Sequence, residues 1–291
     1  MRTEIEMLVL IQSIAEKDER IRAVILNGSR VNPNIAKDTY QDYDIIYLVN
    51  DLASFRGQPN WVDVFGERII MQMPNDMQID DEPITNSWKS ITYLMLFKDT
   101  NRIDLTLVKV EHRSSYQDSL TKILLDKDHL FPNFPSPTEQ DYWVKKPTEQ
   151  QFLDCCNEFW WVSTYVVKGL LRQEITYAKE MMEQPVRNMF MQILAWQVGS
   201  KHDFRVNLGM CLKFLPKYSS PQLWDRVLLT YPDANPMNIW RSLIEMTHTF
   251  YELEVITAKR LGFKHNEIEA QNVKEYLAYR EPEIIKLYDN Y

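Results

Sequence analysis

Met7, Leu8, Ile11, Ile14 and Ala15 recur at the three-and-four spacing of a helix, which predicts a first helix over residues 3–18. Thr3, with Glu6 three residues later, has the composition of a capping box at its start. The period then changes. Residues 21–26 form a short apolar run that stops at Asn27-Gly28-Ser29, and residues 44–49 form another; both read as buried strands joined by a polar loop or helix start. Residues 68–73 read as a third strand. Residues 91–97 and 103–110 flank Lys98-Asp99-Thr100-Asn101-Arg102, a polar turn of the kind that closes a hairpin. The first half is thus a sheet with few helices.

Pro132, Pro135 and Pro137 fall within seven residues, which blocks helix and central strand alike and marks the start of a connection. Beyond it, residues 149–171, 175–198, 208–214, 222–229 and 238–261 all show helical spacing, so the second half reads as a helical bundle. Pro185 must kink or start a helix inside the second of these segments. The pattern predicts an α+β protein of two domains, a mixed sheet with flanking helices over residues 1–140 and a helical bundle over 141–291.

Composition narrows the function classes. With 33 Lys and Arg against 41 Asp and Glu, the formal charge of -8 repels phosphate backbones and attracts cations, so nucleic acid is not expected as a partner. The N-terminus carries Glu4 and Glu6 where a signal peptide needs basic and then apolar residues, and no apolar run approaches a membrane span. Three cysteines, two of them adjacent at Cys155 and Cys156, make no disulfide framework. A cytoplasmic monomer, away from membranes, is the expectation. The five histidines lack metal-ligand spacing and read as structural, and the cysteines read as packing residues.

The informative stretch is Leu26-Asn27-Gly28-Ser29-Arg30, followed by Asp42-Tyr43-Asp44-Ile45. In a strand Asp42 and Asp44 project to the same side while Tyr43 and Ile45 face the other. Two like charges side by side call for a cation, and carboxylate oxygens suit Mg²⁺ carrying nucleotide phosphates. Gly28-Ser29 at a strand end offers close backbone approach and a hydroxyl donor to a triphosphate, with Arg30 as a cationic fork. Alternation in the second hairpin strand puts Asp104 and Thr106 opposite Ile103, Leu105 and Leu107. If that strand lies beside Asp42 and Asp44, three carboxylates converge, able to bind metal and to deprotonate a hydroxyl.

Gly-Ser, a spacer, Asp-x-Asp and a later acid resemble the nucleotidyltransferase superfamily. A closer resemblance is to the aminoglycoside 6-adenylyltransferases, the streptomycin-modifying enzymes. It rests on Asn27-Gly28-Ser29-Arg30, Gln41-Asp42-Tyr43-Asp44-Ile45, Asp104-Leu105-Thr106-Leu107, Leu124-Leu125-Asp126-Lys127-Asp128 and Cys155-Cys156-Asn157-Glu158-Phe159-Trp160. The resemblance implies AMP transfer from ATP, with Mg²⁺, onto a hydroxyl of a small cationic aminoglycoside held between the two domains. Gly28, Ser29 and Arg30 would hold the triphosphate and Asp42 and Asp44 the metal. Asp104 would be general base or, being shorter than the Glu used by related enzymes, only a metal ligand. On the predicted helix 149–171, Glu158 and Tyr165 are candidate acceptor contacts and Lys168 a candidate phosphate contact, while Phe159, Trp160 and Trp161 read as packing. The same sheet would also serve AMP transfer to a protein hydroxyl, or binding of nucleotide or drug without chemistry. Neither a Gly-x-x-x-x-Gly-Lys-[Ser/Thr] loop nor a kinase His-x-Asp loop occurs.

Overall fold

In the computed structural model, which describes residues 1–79 and 89–289, Thr3 caps the first helix reciprocally. Its hydroxyl accepts from the Glu6 amide at 3.3 Å, and the Glu6 carboxylate accepts from the Thr3 amide at 2.7 Å. That helix, α1 (Glu4–Lys17), buries Met7, Ile11 and Ala15. The chain forms two compact units, Met1–Asp141 and Tyr142–Tyr291.

The first unit is built on six strands: β1 (Ile21–Asn27), β2 (Tyr43–Val49), β3 (Arg68–Gln72), β4 (Ser90–Phe97), β5 (Arg102–Lys109) and β6 (Thr121–Asp126). Their order is β3-β4-β5-β2-β1-β6. Neighbours run antiparallel except β2 and β5, which are parallel. A parallel neighbour requires a crossover, and the chain supplies it through the short helix α2 (Ala53–Arg56), β3 and β4.

The two faces of the sheet separate by the period of two. Tyr43, Ile45 and Tyr47 join Tyr93, Met95, Phe97, Ile103, Leu105 and Leu107 in one core with α1. Each such side chain contributes about 1.5–3 kcal/mol on burial. Tyr47 Oη donates to the Ile11 carbonyl at 2.6 Å and ties α1 to the central strand. On the other face Ala23, Ile25, Ile46, Leu48 and Val108 form a smaller core toward one end, leaving the opposite end polar.

The second unit is helical: α3 (Glu149–Leu171), α4 (Ile175–Met181), α5 (Arg187–Lys201), α6 (Leu215–Tyr218), α7 (Pro221–Leu229), α8 (Pro236–Leu261) and α9 (Glu267–Tyr288). Pro185 sits in a π turn, Met182–Val186, that joins α4 to α5 and absorbs its missing amide hydrogen. At the centre Phe159 and Phe250 stack with ring centroids 3.6 Å apart, and Trp160 meets both edge-on. The mixed sheet with flanking helices and the helical second half are as the hydrophobic pattern predicts.

Three elements depart from the prediction. Residues 208–214 are no helix: Gly209, Cys211 and Leu212 take positive φ angles of 69°, 54° and 56°, so only a short 3-10 turn, Met210–Leu212, forms there. Strand β6 and helix α9 were not foreseen. The buried positions of α9 include Ala270, Leu277 and Ile284, a seam recurring every seventh residue that is too narrow to register as an amphipathic face. Among the described residues no helix is long and apolar enough to cross a membrane.

Candidate active site

The parallel pairing of β2 with β5 puts Asp44 directly opposite Asp104. On its other side Asp44 faces Asn27, and Asn27 in turn faces Thr121 on β6. Residues opposite one another share a face, so one polar row crosses four strands at the open end of the sheet. Thr121 Oγ donates to Asn27 Oδ1 at 2.9 Å, and Asn27 Nδ2 donates to the Tyr116 carbonyl at 3.1 Å, which fixes that end of the row. Deeper along the strands the hydroxyls of Thr92 and Thr106 meet at 3.2 Å. Asp42 immediately precedes β2 and lies two residues from Asp44 on the same side.

Gly28 closes the row from above. Its φ of 76° is left-handed, and a Cβ there would sit 2.2 Å from Asp44 Oδ2. No side chain can occupy the position without displacing the carboxylate, so glycine is required twice over. The close approach expected for a phosphate is made first by Asp44 itself. The Gly28 amide donates to the Leu120 carbonyl at 3.2 Å. Ser29 follows it in the 3-10 turn Gly28–Val31, its carbonyl accepting from Gln41 Nε2 at 3.3 Å.

Burial pushes the Asp44 carboxyl up to about 6, and the charges of Asp42 and Asp104 add to the effect; Arg102 and Arg30 oppose it. Arg102 is a cation that sequence reasoning passed over. Its guanidinium forks Asp104, with Nε 2.7 Å from Oδ1 and Nη2 2.6 Å from Oδ2, and its Nη1 lies 3.7 Å from Asp42 Oδ2. The available signal was its place two residues before Asp104, which puts both on one strand face. Among the described residues no group of three or more His, Cys, Asp or Glu is gathered so as to hold a metal ion, and both oxygens of Asp104 are taken by Arg102.

Arg30 corrects an expectation. Instead of pointing at a phosphate, it is buried, with Nε donating to the Asp42 carbonyl at 2.9 Å and Nη2 to the Gln41 carbonyl. Its guanidinium stacks 3.7 Å from the Tyr43 ring centroid, on the α1 side of the sheet. The side chain therefore braces the loop that carries Asp42, a use that its donors and flat face suit as well as they suit phosphate.

In the helical unit Glu158, Tyr165 and Lys168 lie on one outer stripe of α3. Tyr165 Oη accepts from Trp161 Nε1 at 2.9 Å, and Lys168 Nζ is 4.6 Å from the Tyr165 ring centroid. Glu158 and Asp154 also line a groove of about 1100 Å³ with Gln192, Trp196, Lys145 and Lys146. Cys155 and Cys156 are buried and their thiols are pushed up, Cys155 to about 12, so they are inert packing residues; Cys211 departs from that expectation and is exposed. Elsewhere in the helical unit His265 Nε2 lies 3.3 Å from Glu254 Oε1 without a hydrogen bond between them.

Comparison with known proteins matches residues 1–280 to a family described as streptomycin adenylyltransferase. An aminoglycoside 6-adenylyltransferase of Bacillus subtilis (strain 168) is 40% identical over 268 residues, covering 91% of this chain and 93% of the relative. One from Campylobacter jejuni is 41% identical, covering 91% of each. One from Staphylococcus aureus is 38% identical, covering 79% of this chain and 82% of the relative. Matched along nearly its whole length, and with paired acids beside a glycine-closed strand end, the chain belongs to the streptomycin adenylyltransferase family and is a nucleotidyltransferase.

Proposed function

We propose that this enzyme moves AMP from Mg-ATP to a hydroxyl of an aminoglycoside, with streptomycin as the first acceptor to test and the 6-position as the expected site. The observation that carries the reading is the register of Asp44 against Asp104 beside the Gly28 cradle. The donor set suits the metal: carboxylate oxygens are hard ligands, and a carboxyl pushed up to about 6 among like charges favours a cation beside it. Asp42 and Asp44 would hold Mg²⁺, which supplies neutralisation of the triphosphate charge. The chain does the rest. The Ser29 hydroxyl donates to a phosphate oxygen. Asp104 takes the proton of the acceptor hydroxyl, whose oxygen bonds to the α-phosphorus as the bond to pyrophosphate breaks. Positioning and charge stabilisation account for the rate.

The net charge of -8 favours a polycationic acceptor, and Asp154 with Glu158 gives the groove in the helical unit two carboxylates for amino or guanidino groups. Tyr165 would extend that contact along α3, and Lys168 remains the helical unit's candidate for phosphate.

The test is pyrophosphate release from Mg-ATP with streptomycin, for the native protein and Asp42→Asn, followed by mass spectrometry of the drug. An AMP adduct that disappears in the variant supports the reading. A native enzyme that binds Mg-ATP but leaves streptomycin and other aminoglycosides unmodified sinks it, and turns attention to protein hydroxyls.

A further inference from the structure

Arg102 stands where the proposed chemistry needs room. Its fork engages both oxygens of Asp104 and its third nitrogen approaches Asp42, so the guanidinium shields from any second cation the carboxylates that the proposed reaction requires. Its backbone is fixed, while its side chain reaches Asp104 from a half-exposed position. The preceding turn is tied down by Arg2, whose Nε donates to Asp99 Oδ2 at 2.6 Å, and by Asn101, whose Nδ2 reaches the same oxygen at 3.0 Å. The Arg102 side chain itself is 47% exposed, against 19% for Asp104. A half-exposed guanidinium on a fixed strand end can exchange one oxyanion for another by side-chain rotation alone. Guanidinium forks match phosphate as well as carboxylate.

We propose that Arg102 is an exchangeable counter-ion: it holds Asp104 while the site lacks nucleotide and turns to the nucleotide phosphates when Asp104 is released to metal and acceptor. This rests on the nucleotidyl-transfer reading above. Arg102 acts as a positioning residue for Asp104 and as a phosphate contact in the loaded site. The exchange keeps the acidic row from standing unneutralised, and it couples exposure of Asp104 to arrival of the anion that needs it.

The proposal predicts two responses of opposite sign in Arg102→Gln. Mn²⁺ affinity without nucleotide, read from the electron paramagnetic resonance of the free ion, rises about tenfold because a competing charge is gone. ATP affinity at saturating Mn²⁺ falls about tenfold because a phosphate ligand is gone. A merely structural residue would lower both. Asp44→Asn is measured alongside to separate the two readings. If it abolishes Mn²⁺ binding while Arg102→Gln leaves either affinity unchanged or lowers both, the exchange is overturned and the metal site stands. If Asp44→Asn leaves Mn²⁺ binding intact, or the native protein binds no Mn²⁺, both readings fall.

Discussion

Asp44 on the sheet and Glu254 in the helical core are both carboxyls pushed up by burial, to about 6 and about 7, yet they keep opposite company. Asp44 is crowded by Asp42 and Asp104, and half-exposed Arg102, the cation beside the trio, bonds Asp104 rather than Asp44. Glu254, only 1% exposed, accepts from Trp160 Nε1 at 3.0 Å and from the Cys156 thiol, with His265 at 3.3 Å and Lys274 nearby. Burial alone therefore does not mark a working acid. What separates the two is whether the neighbours already satisfy the group or leave it calling for a cation from outside.

Removing each carboxyl's charge should break the symmetry most sharply. Asp44→Asn is expected to cost about a thousandfold or more in AMP transfer, since in the proposed reaction Asp44 holds the metal. The same change should raise the melting temperature at pH 7. A carboxyl whose folded value lies above its unfolded one penalises the fold increasingly as pH rises from about 4 to about 6, and constantly above that. Kinetics and a thermal melt on one sample check both halves, and an active Asn variant would remove Asp44 from the site.

Glu254→Gln should leave transfer within about twofold and change the pH dependence of stability. Glu254 titrates near 4.5 unfolded and about 7 folded, so its penalty grows between those values and is complete above them. Urea unfolding should show the two proteins nearly equal at pH 5 and the Gln variant more stable at pH 8, on the order of 3 kcal/mol. His265, held below its ordinary value by burial, is common to both proteins. Parallel stability profiles would show that Glu254 ionises freely in the fold.

The acids of the sheet were legible because order and period suffice: Asp44 and Asp104 lie on the polar phase of their strands, Asp42 keeps that phase just before β2, and Gly28-Ser29 follows the strand before them. The role of Gly28 was legible only in kind, since contact with Asp44 depends on tertiary register. Arg30 and Arg102 exchanged significance for the same reason. Nothing local tells which arginine finds two carbonyls and the Tyr43 ring and which finds Asp104, because β2 and β5 meet only through a long crossover. In the helical unit the apolar spacing of residues 208–214 mimicked a helix that the positive φ angles at Gly209, Cys211 and Leu212 forbid. Glu254 gave no signal: one of three acids in a 26-residue helix, it reads as solvated until the packing of α3 and α9 around it is known.

The smallest expected effect tests whether Trp160 is what makes the Glu254 charge tolerable. Trp160→Phe alone confounds the lost indole donor with a cavity, since Trp160 is 2% exposed. Made in both the native and the Glu254→Gln background, the cavity cost is common to the two and cancels, leaving the donor's preference for carboxylate over amide. At pH 8 that coupling should be about 1–2 kcal/mol, the difference between a charge-assisted and a neutral hydrogen bond. At pH 5 Glu254 is protonated and offers the indole the same neutral oxygen that Gln offers, so the coupling should vanish. A coupling that is equal at the two pH values would mean that the indole bond is indifferent to charge and that His265, Lys274 or the Cys156 thiol carries the difference between Glu254 and Asp44.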